Sequence, residues 1–459
     1  VGSDLAELVL AASETQLMRL LDSWANPTDP RLTSEPREVM AAALPSALLL
    51  RYQESGNATL LDRAITFIRG CLHDGGFAAD LQSSLRSNLA TFLLLVYERT
   101  GAAALLQDAI ATSQAVVDDG TARGDELAGR LAALGHSYAL RADGFNSPDD
   151  LDRAITSLHA AVTVPGLSAD KAAECWSDLA GAWRDKYARS KDPAALANAV
   201  NALRQAVRSA TPGTRPELVN RINLAGTMRI HAGLIGDLAE LDESIRELLE
   251  IAAGPTPDGH HLQYNLGRAY LERHKLTGAD DDLTEAISAL QGALVAADAD
   301  GQRYARIALD LAGALIRAGN GSVAALRLIT IAARHPSATV MTRFEAATAA
   351  AQMEAAPASL AWWRAAVDLL PVLAWRGSRH RDRQMAIKRS AGAARTAAAC
   401  AGAIGEPAEA VSMLETGRTI LWNQLLEARA GLDELAAARP DLAERMIVIR
   451  RDLDRTHHG

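Results

Sequence analysis

One phrase recurs along this chain at a fixed interval, and that interval constrains the fold more than any other feature. LLDRAITFIRGCL begins at Leu60, LLQDAIATSQAVV at Leu105, DDLDRAITSLHAAV at Asp149, ELDESIRELLEIA at Glu240 and DDLTEAISALQGAL at Asp281. Its leucine anchor falls at Leu61, Leu106, Leu151, Leu196, Leu241 and Leu283, in steps of 45, 45, 45, 45 and 42. Three residues on stand Ala64, Ala109, Ala154, Ala199, Ser244 and Ala286, each followed by Ile65, Ile110, Ile155, Val200, Ile245 or Ile287. A large, a small and a β-branched residue at this spacing share one helix face. The small one lets a neighbouring helix approach closely.

A second phrase lies between copies of the first. Its anchors are Leu44, Leu89, Leu134, Leu179, Leu224, Leu266 and Leu311, in steps of 45, 45, 45, 45, 42 and 45. The next residue is small at Ala90, Gly135, Ala180, Ala225, Gly267 and Ala312, and departs at Pro45, which marks the first unit as irregular. Each unit therefore holds two helices, A and then B. The link between them keeps the same phase at Gly56, Gly101, Asn146, Lys191, Gly236 and Gly278. Gly and Asn tolerate a left-handed helix end. Lys191 breaks that rule and is expected to end its helix another way. The polar residues of NSPDDLD and TGADDDL are placed to cap the B helices.

A two-helix unit cannot bury its apolar face alone, so units must stack. The expected fold is all-α, a right-handed solenoid of antiparallel helix pairs. Residues 1–35 read as a capping helix and a Pro-rich break (Pro27 to Pro36), 36–336 as about seven helix pairs, and 337–459 as a less regular helical region ending in a linker helix. Aromatic residues make up only 4% of the chain against 49% hydrophobic, so the core must be built from Ala, Leu, Ile and Val.

YNLGRAYLER at Tyr264, followed by LTEAISALQGALVAA, resembles a tetratricopeptide repeat, with a Leu–Gly pair and an aromatic in helix A and spaced small residues in helix B. Ala286 with Ala293, and Ala154 with Ala161, fit the latter pattern. The departure is length: a unit is about 11 residues longer than the usual ~34. The closing segment carries a second resemblance. GRTILWNQLLEAR (Gly417 to Arg429) and LAAARPDLAERM (Leu435 to Met446) resemble the linker of actinobacterial proteins in which tetratricopeptide-like repeats precede a CHAT domain, a caspase-like cysteine protease. That resemblance implies a protein-interaction scaffold that binds a polypeptide and regulates an attached protease. The protease's catalytic His and Cys have no counterpart that can be placed in this chain.

The alternatives are a free-standing adaptor and an enzyme with a hidden site. The enzyme reading is the weakest, because no P-loop, dinucleotide turn, paired-carboxylate motif or metal-ligand spacing occurs, and no cofactor is expected. Net charge of −9 argues against a nucleic-acid footprint along the chain. No apolar run reaches the ~18 residues of a membrane span. Cys71, Cys175 and Cys400 are scattered, which fits buried structural thiols in a reducing cytoplasm. His260 and His261 read as a solvated helix start.

The tetratricopeptide resemblance implies that the A helices line the concave face, which makes that face the candidate ligand groove. Positions one and four after the small residue, with Tyr264 three before it, give His136, Arg184, Arg229, Tyr264 and Arg268 as solvent-facing groove residues suited to an acidic or extended polypeptide. Arg376 to Arg395 carries seven Lys or Arg against Asp382 alone. That run, with the tryptophans Trp362, Trp363, Trp375 and Trp422, suggests a transmission or docking surface, for which Arg379, Arg381, Arg383 and Trp422 are the interdomain candidates.

Overall fold

The computed structural model describes residues 2–24, 34–74, 76–145, 147–254, 259–319, 322–373 and 380–429, with a few positions between 442 and 448. Every regular element among them is an α-helix, so the chain is all-α there. Two short helices, α1 (Gly2–Ala11) and α2 (Glu14–Trp24), come first, where the sequence suggests one. Seven A/B pairs follow: α3 (Ser34–Ser55) and α4 (Ala58–Asp74), α5 (Ala79–Thr100) and α6 (Ala103–Asp118), α7 (Gly124–Phe145) and α8 (Pro148–Val162), α9 (Ala169–Ser190) and α10 (Pro193–Ser209), α11 (Arg215–Ile235) and α12 (Leu238–Ala252), α13 (Gly259–Thr277) and α14 (Asp280–Ala296), α15 (Gln302–Arg317) and α16 (Ser322–Arg334). Four more helices close the described chain: α17 (Val340–Met353), α18 (Ala358–Leu373), α19 (His380–Ala403) and α20 (Pro407–Arg429). The residues form two compact units, Val1–Ala182 and Trp183–Gly459.

The A/B turn repeats because its chemistry repeats. Gly56, Gly101, Gly236 and Gly278 all take positive φ, between 67° and 76°. Each donates its N–H to the carbonyl four residues back, as Gly101 does to Tyr97 at 2.7 Å and Gly236 to Ala232 at 2.8 Å. Lys191 corrects the expectation drawn from sequence. It ends α9 in the same way, with φ 58° and its N–H on the Tyr187 carbonyl at 2.8 Å. A side chain in this region costs roughly 1–2 kcal/mol; the Lys191 ammonium lies 5.4 Å from the Tyr187 ring centroid, an attraction that offsets part of it. A hydroxyl precedes four of these turns. Ser55, Thr100, Ser190 and Thr277 each donate to the carbonyl four residues back and accept the N–H two residues on.

Ser147 caps α8 by accepting the Asp150 N–H, as NSPDDLD implies. TGADDDL behaves differently: the N-cap of α14 is Ala279, which has no side chain to accept a hydrogen bond. Its three aspartates sit in the first turn instead, where the helix dipole favours negative charge.

The anchors face the seam between the helices of a pair. All thirteen leucines of the two series are buried, none more than 8% exposed. Each such burial stabilises by about 1.5–3 kcal/mol relative to exposure. The small residues of the B helices, from Ala64 to Ala286, are fully enclosed. Gly135 and Gly267 show how tight the seam is. A Cβ on Gly135 would stand 2.7 Å from Leu158 Cγ, and one on Gly267 would stand 2.7 Å from Leu290 Cγ and 3.2 Å from the Ala286 carbonyl. Pro45 is accommodated inside the continuous helix α3.

Within each unit the pairs stack B against the next A, as α6 packs on α7 and α12 on α13. The A helices also meet one another, α3 with α5 and α5 with α7 in the first unit, α11 with α13 and α15 with α17 in the second. Those contacts join A helices into one face per unit. In the first unit α1 and α2 lie against α3, with Trp24 edge-on to Phe67 at 5.0 Å between centroids. In the second, α17 to α20 enclose a separate apolar cluster around Phe344, Trp363 and Leu370. Trp363 is core, while Trp362 is half-buried beneath the Arg334 guanidinium at 5.3 Å. Trp375 and most of the break from Pro27 to Pro36 lie outside the described residues.

Candidate functional site

Three of the five groove candidates come together in the second unit. Arg229 stands on α11, and Tyr264 and Arg268 stand one turn apart on α13. The A helix of the following pair, α15, brings Asp310 and Arg306 to meet them. The Tyr264 hydroxyl donates to Asp310 Oδ2 at 2.7 Å, and Arg306 Nη2 lies 3.0 Å from Oδ1 of the same carboxylate. Arg268 stacks over the Tyr264 ring, 5.6 Å from its centroid, with Nε 3.9 Å from Asp310. Arg306 also donates from Nη1 to Glu345 Oε2 at 2.6 Å, extending the network onto α17. Burial raises the Tyr264 phenol, and the Asp310 charge raises it further. Burial opposes the charge on Arg306, but Asp310 leads the groups that more than offset it.

Arg229 departs from the solvent-facing position that helix spacing assigns it. It is only 6% exposed. The cause is the neighbouring pair: α13 packs along α11 and covers the face that would be open on an isolated pair. Arg229 makes no hydrogen bond and no ion pair, and its Nε is both buried and unsatisfied. Burial, and then the like charge of Arg268, pull its guanidinium down to about 10, so it stays charged at neutral pH.

A cavity of about 560 Å³ opens beside it, lined entirely by A helices α11, α13 and α15 and by the turn at Gly278. Arg229, Arg268, Lys275 and Arg317 face it with Glu272 and Asp310, between walls that include Leu271 and Leu309. Glu272 fills the notch left by Gly233, where a Cβ would meet its carboxyl group at 2.7 Å or less. Lys275 is occupied by Glu272 at 2.9 Å.

The remaining candidates are placed elsewhere. His136 is an exposed side chain of the first unit, its Nε2 4.0 Å from Glu98. Arg184 is exposed on α9. Arg379 lies outside the described residues; Arg381 and Arg383 fall on α19 and Trp422 on α20, with their side chains outside the described set. Cys71 and Cys175 are buried, and desolvation pushes their thiols up to about 12 and about 11, which makes them poor nucleophiles. Cys400 is half-buried, 3.3 Å from the Ser359 hydroxyl, rather than fully enclosed. Among the described residues no group of His, Cys, Asp and Glu could hold a metal ion, and no helix is long and apolar enough to cross a membrane.

Asp310, Arg306 and Glu345 escape a reading based on the A-helix phase alone. The available signal is their offset from a partner by about one repeat, 46 residues for Tyr264–Asp310 and 39 for Arg306–Glu345.

No protein-family model and no curated protein matches the sequence. Solved structures do. The apo form of RapI is similar over 83% of this chain and 99% of its own, at 14% identity and a TM-score of 0.50. The apo quorum sensor NprR from B. thuringiensis is similar over 80% of this chain and 97% of its own, at 9% identity and a TM-score of 0.45. A signal-transduction ATPase from Pyrococcus horikoshii with a tetratricopeptide repeat sensor is similar over 95% of this chain and 65% of its own, at 15% identity and a TM-score of 0.40. The fold is tetratricopeptide-like. At these identities the likeness speaks to fold alone.

Proposed function

We propose that this chain is a protein-interaction scaffold that holds an extended polypeptide against the A-helix face of its second unit. The observation that carries the reading is the cavity built from A helices of three successive pairs and one A/B turn, with arginines converging on it. The test is a degenerate decapeptide library passed over the purified chain and sequenced. Enrichment of particular peptides, lost in a folded Arg268→Glu variant, is expected. No enrichment over a blank resin sinks the reading.

The finer reading, that the scaffold regulates an attached caspase-like CHAT protease, draws its support from the resemblance of Gly417 to Arg429 and Leu435 to Met446, and a cytoplasmic place draws its support from the scattered cysteines. The coding sequence past residue 459 tests it. A frame continuing into a protease with its His and Cys supports regulation; a stop codon leaves the free-standing adaptor. The chain by itself is expected to hydrolyse no peptide, ester or nucleotide.

A further inference from the structure

The cavity on α11, α13 and α15 contains one buried guanidinium that no acceptor in the fold reaches directly, although the Glu272 and Asp310 charges act on it from a distance. Arg229 is 6% exposed and lines the cavity, with no hydrogen bond or ion pair and with Nε unsatisfied. An unpaired buried charge is unfavourable, and folds normally pair or solvate it. Its neighbours are already committed. Lys275 holds Glu272 at 2.9 Å, and Arg268 shares Asp310 at 3.9 Å with Arg306 and Tyr264. Arg317 is exposed and water can solvate it. One buried positive charge remains.

We infer that this cavity is a carboxylate-binding subsite, anchored by the Arg229 guanidinium and filled by an acidic side chain of a bound polypeptide. The inference rests on the scaffold reading above and names the chemistry that its A-helix face selects. Three features favour a carboxylate. The guanidinium fork matches a planar carboxylate in two parallel hydrogen bonds. A carboxylate brings one negative charge against the fixed carboxylates of Glu272 and Asp310 in the same cavity, where a phosphate dianion would bring up to two and be repelled more. Leu271 and Leu309 offer apolar wall to the methylenes that carry such a carboxylate.

The test uses small probes on the whole chain. N-acetylglutamate α-amide carries only the side-chain carboxylate, N-acetylglycine only a terminal one, and N-acetylglutamine α-amide neither; sodium phosphate supplies the dianion. Each is added at matched ionic strength while thermal unfolding is followed, since a ligand that binds the folded state raises Tm. The glutamate amide is expected to raise Tm and the glutamine amide to leave it unchanged. Arg229→Met should abolish the rise, and Arg229→Lys, which keeps charge but loses the fork, should weaken binding at least tenfold by calorimetry. A rise with N-acetylglycine alone overturns the side-chain assignment in favour of a chain terminus. A rise with phosphate alone, or an equal rise in Arg229→Met, overturns the subsite. If Arg229→Met does not fold, Arg229→Lys decides: unchanged affinity overturns the anchor. Failure of the decapeptide screen with the glutamate-amide shift intact would remove the scaffold reading and leave the subsite standing.

Discussion

Two arginines in the second unit, one half-buried and one buried, have opposite surroundings. Arg273 lies at the seam between α13 and α14. Its Nε and Nη2 reach Asp282 Oδ1 at 2.9 and 2.6 Å, and its Nη1 reaches Asp242 at 2.7 Å. Arg229, on the A-helix face, touches no acceptor. The seam motif recurs. In the first unit Arg141 holds Asp150 through Nε at 2.8 Å and Nη2 at 2.6 Å. Between α11 and α12, His231 Nδ1 lies 2.6 Å from Glu240. In all three the partners are nine residues apart and span the A/B turn. The difference teaches that charge at the seam serves folding, since each of these side chains finds an acceptor nine residues on within its own pair, and Arg273 a second on the preceding one. Charge on the A-helix face is left open at Arg229, where several pairs converge, a loss of stability of the kind that binding sites trade for function.

The same replacement at the two arginines should therefore act with opposite sign. Arg273→Met strands the Asp282 carboxylate, 7% exposed, without its fork; a loss of about 3–5 kcal/mol is expected in urea denaturation. A loss below about 1 kcal/mol would break the contrast. Ala154→Leu probes the apolar part of a seam. Ala154 is fully enclosed, so the added carbons should overpack and cost ~1–3 kcal/mol. An unchanged denaturation midpoint would refute the register. Arg229→Met should raise stability by about 1–2 kcal/mol, because it removes an unsatisfied buried group. A loss instead would mean that Arg229 is structural.

The smallest effect is in pH. Burial alone would raise the Asp150 carboxyl, but the Arg141 hydrogen bonds, the Ser147 cap and nearby arginine charge hold it below the usual range. A depressed carboxyl stabilises fully above its unfolded pKa, near pH 4, and loses that contribution as pH falls through the folded value. The stability gap between wild type and Asp150→Asn, about 1 kcal/mol at neutral pH, should accordingly narrow below about pH 4. A gap constant from pH 7 to pH 3 would show that the ionised pair adds nothing to the seam.

Much of this was legible in the spacing. The phase-locked leucines are the buried ones, the small residues sit where helices touch, and the glycines between A and B take the left-handed turn. Lys191 follows phase rather than residue type: the helices on either side dictate the turn geometry, and a lysine adopts it at a cost. The Arg–Asp seam has a nine-residue spacing tied to the anchors, at Arg141 and Asp150 and again at Arg273 and Asp282, but spacing alone does not separate such a pair from the solvated charges common on helices.

The sequence by itself determined what happens within a pair, because helix period and a short turn fix which side chains meet across a seam. It could not determine the state of Arg229. That residue lies about 140° round its helix from the Leu224 anchor, a position open on a lone pair. Only packing of α13 along α11 buries it, and only the positions of Glu272 and Asp310 on two further helices leave it unpaired. Burial and pairing there depend on distances between residues dozens of positions apart, which stacking sets and local period does not.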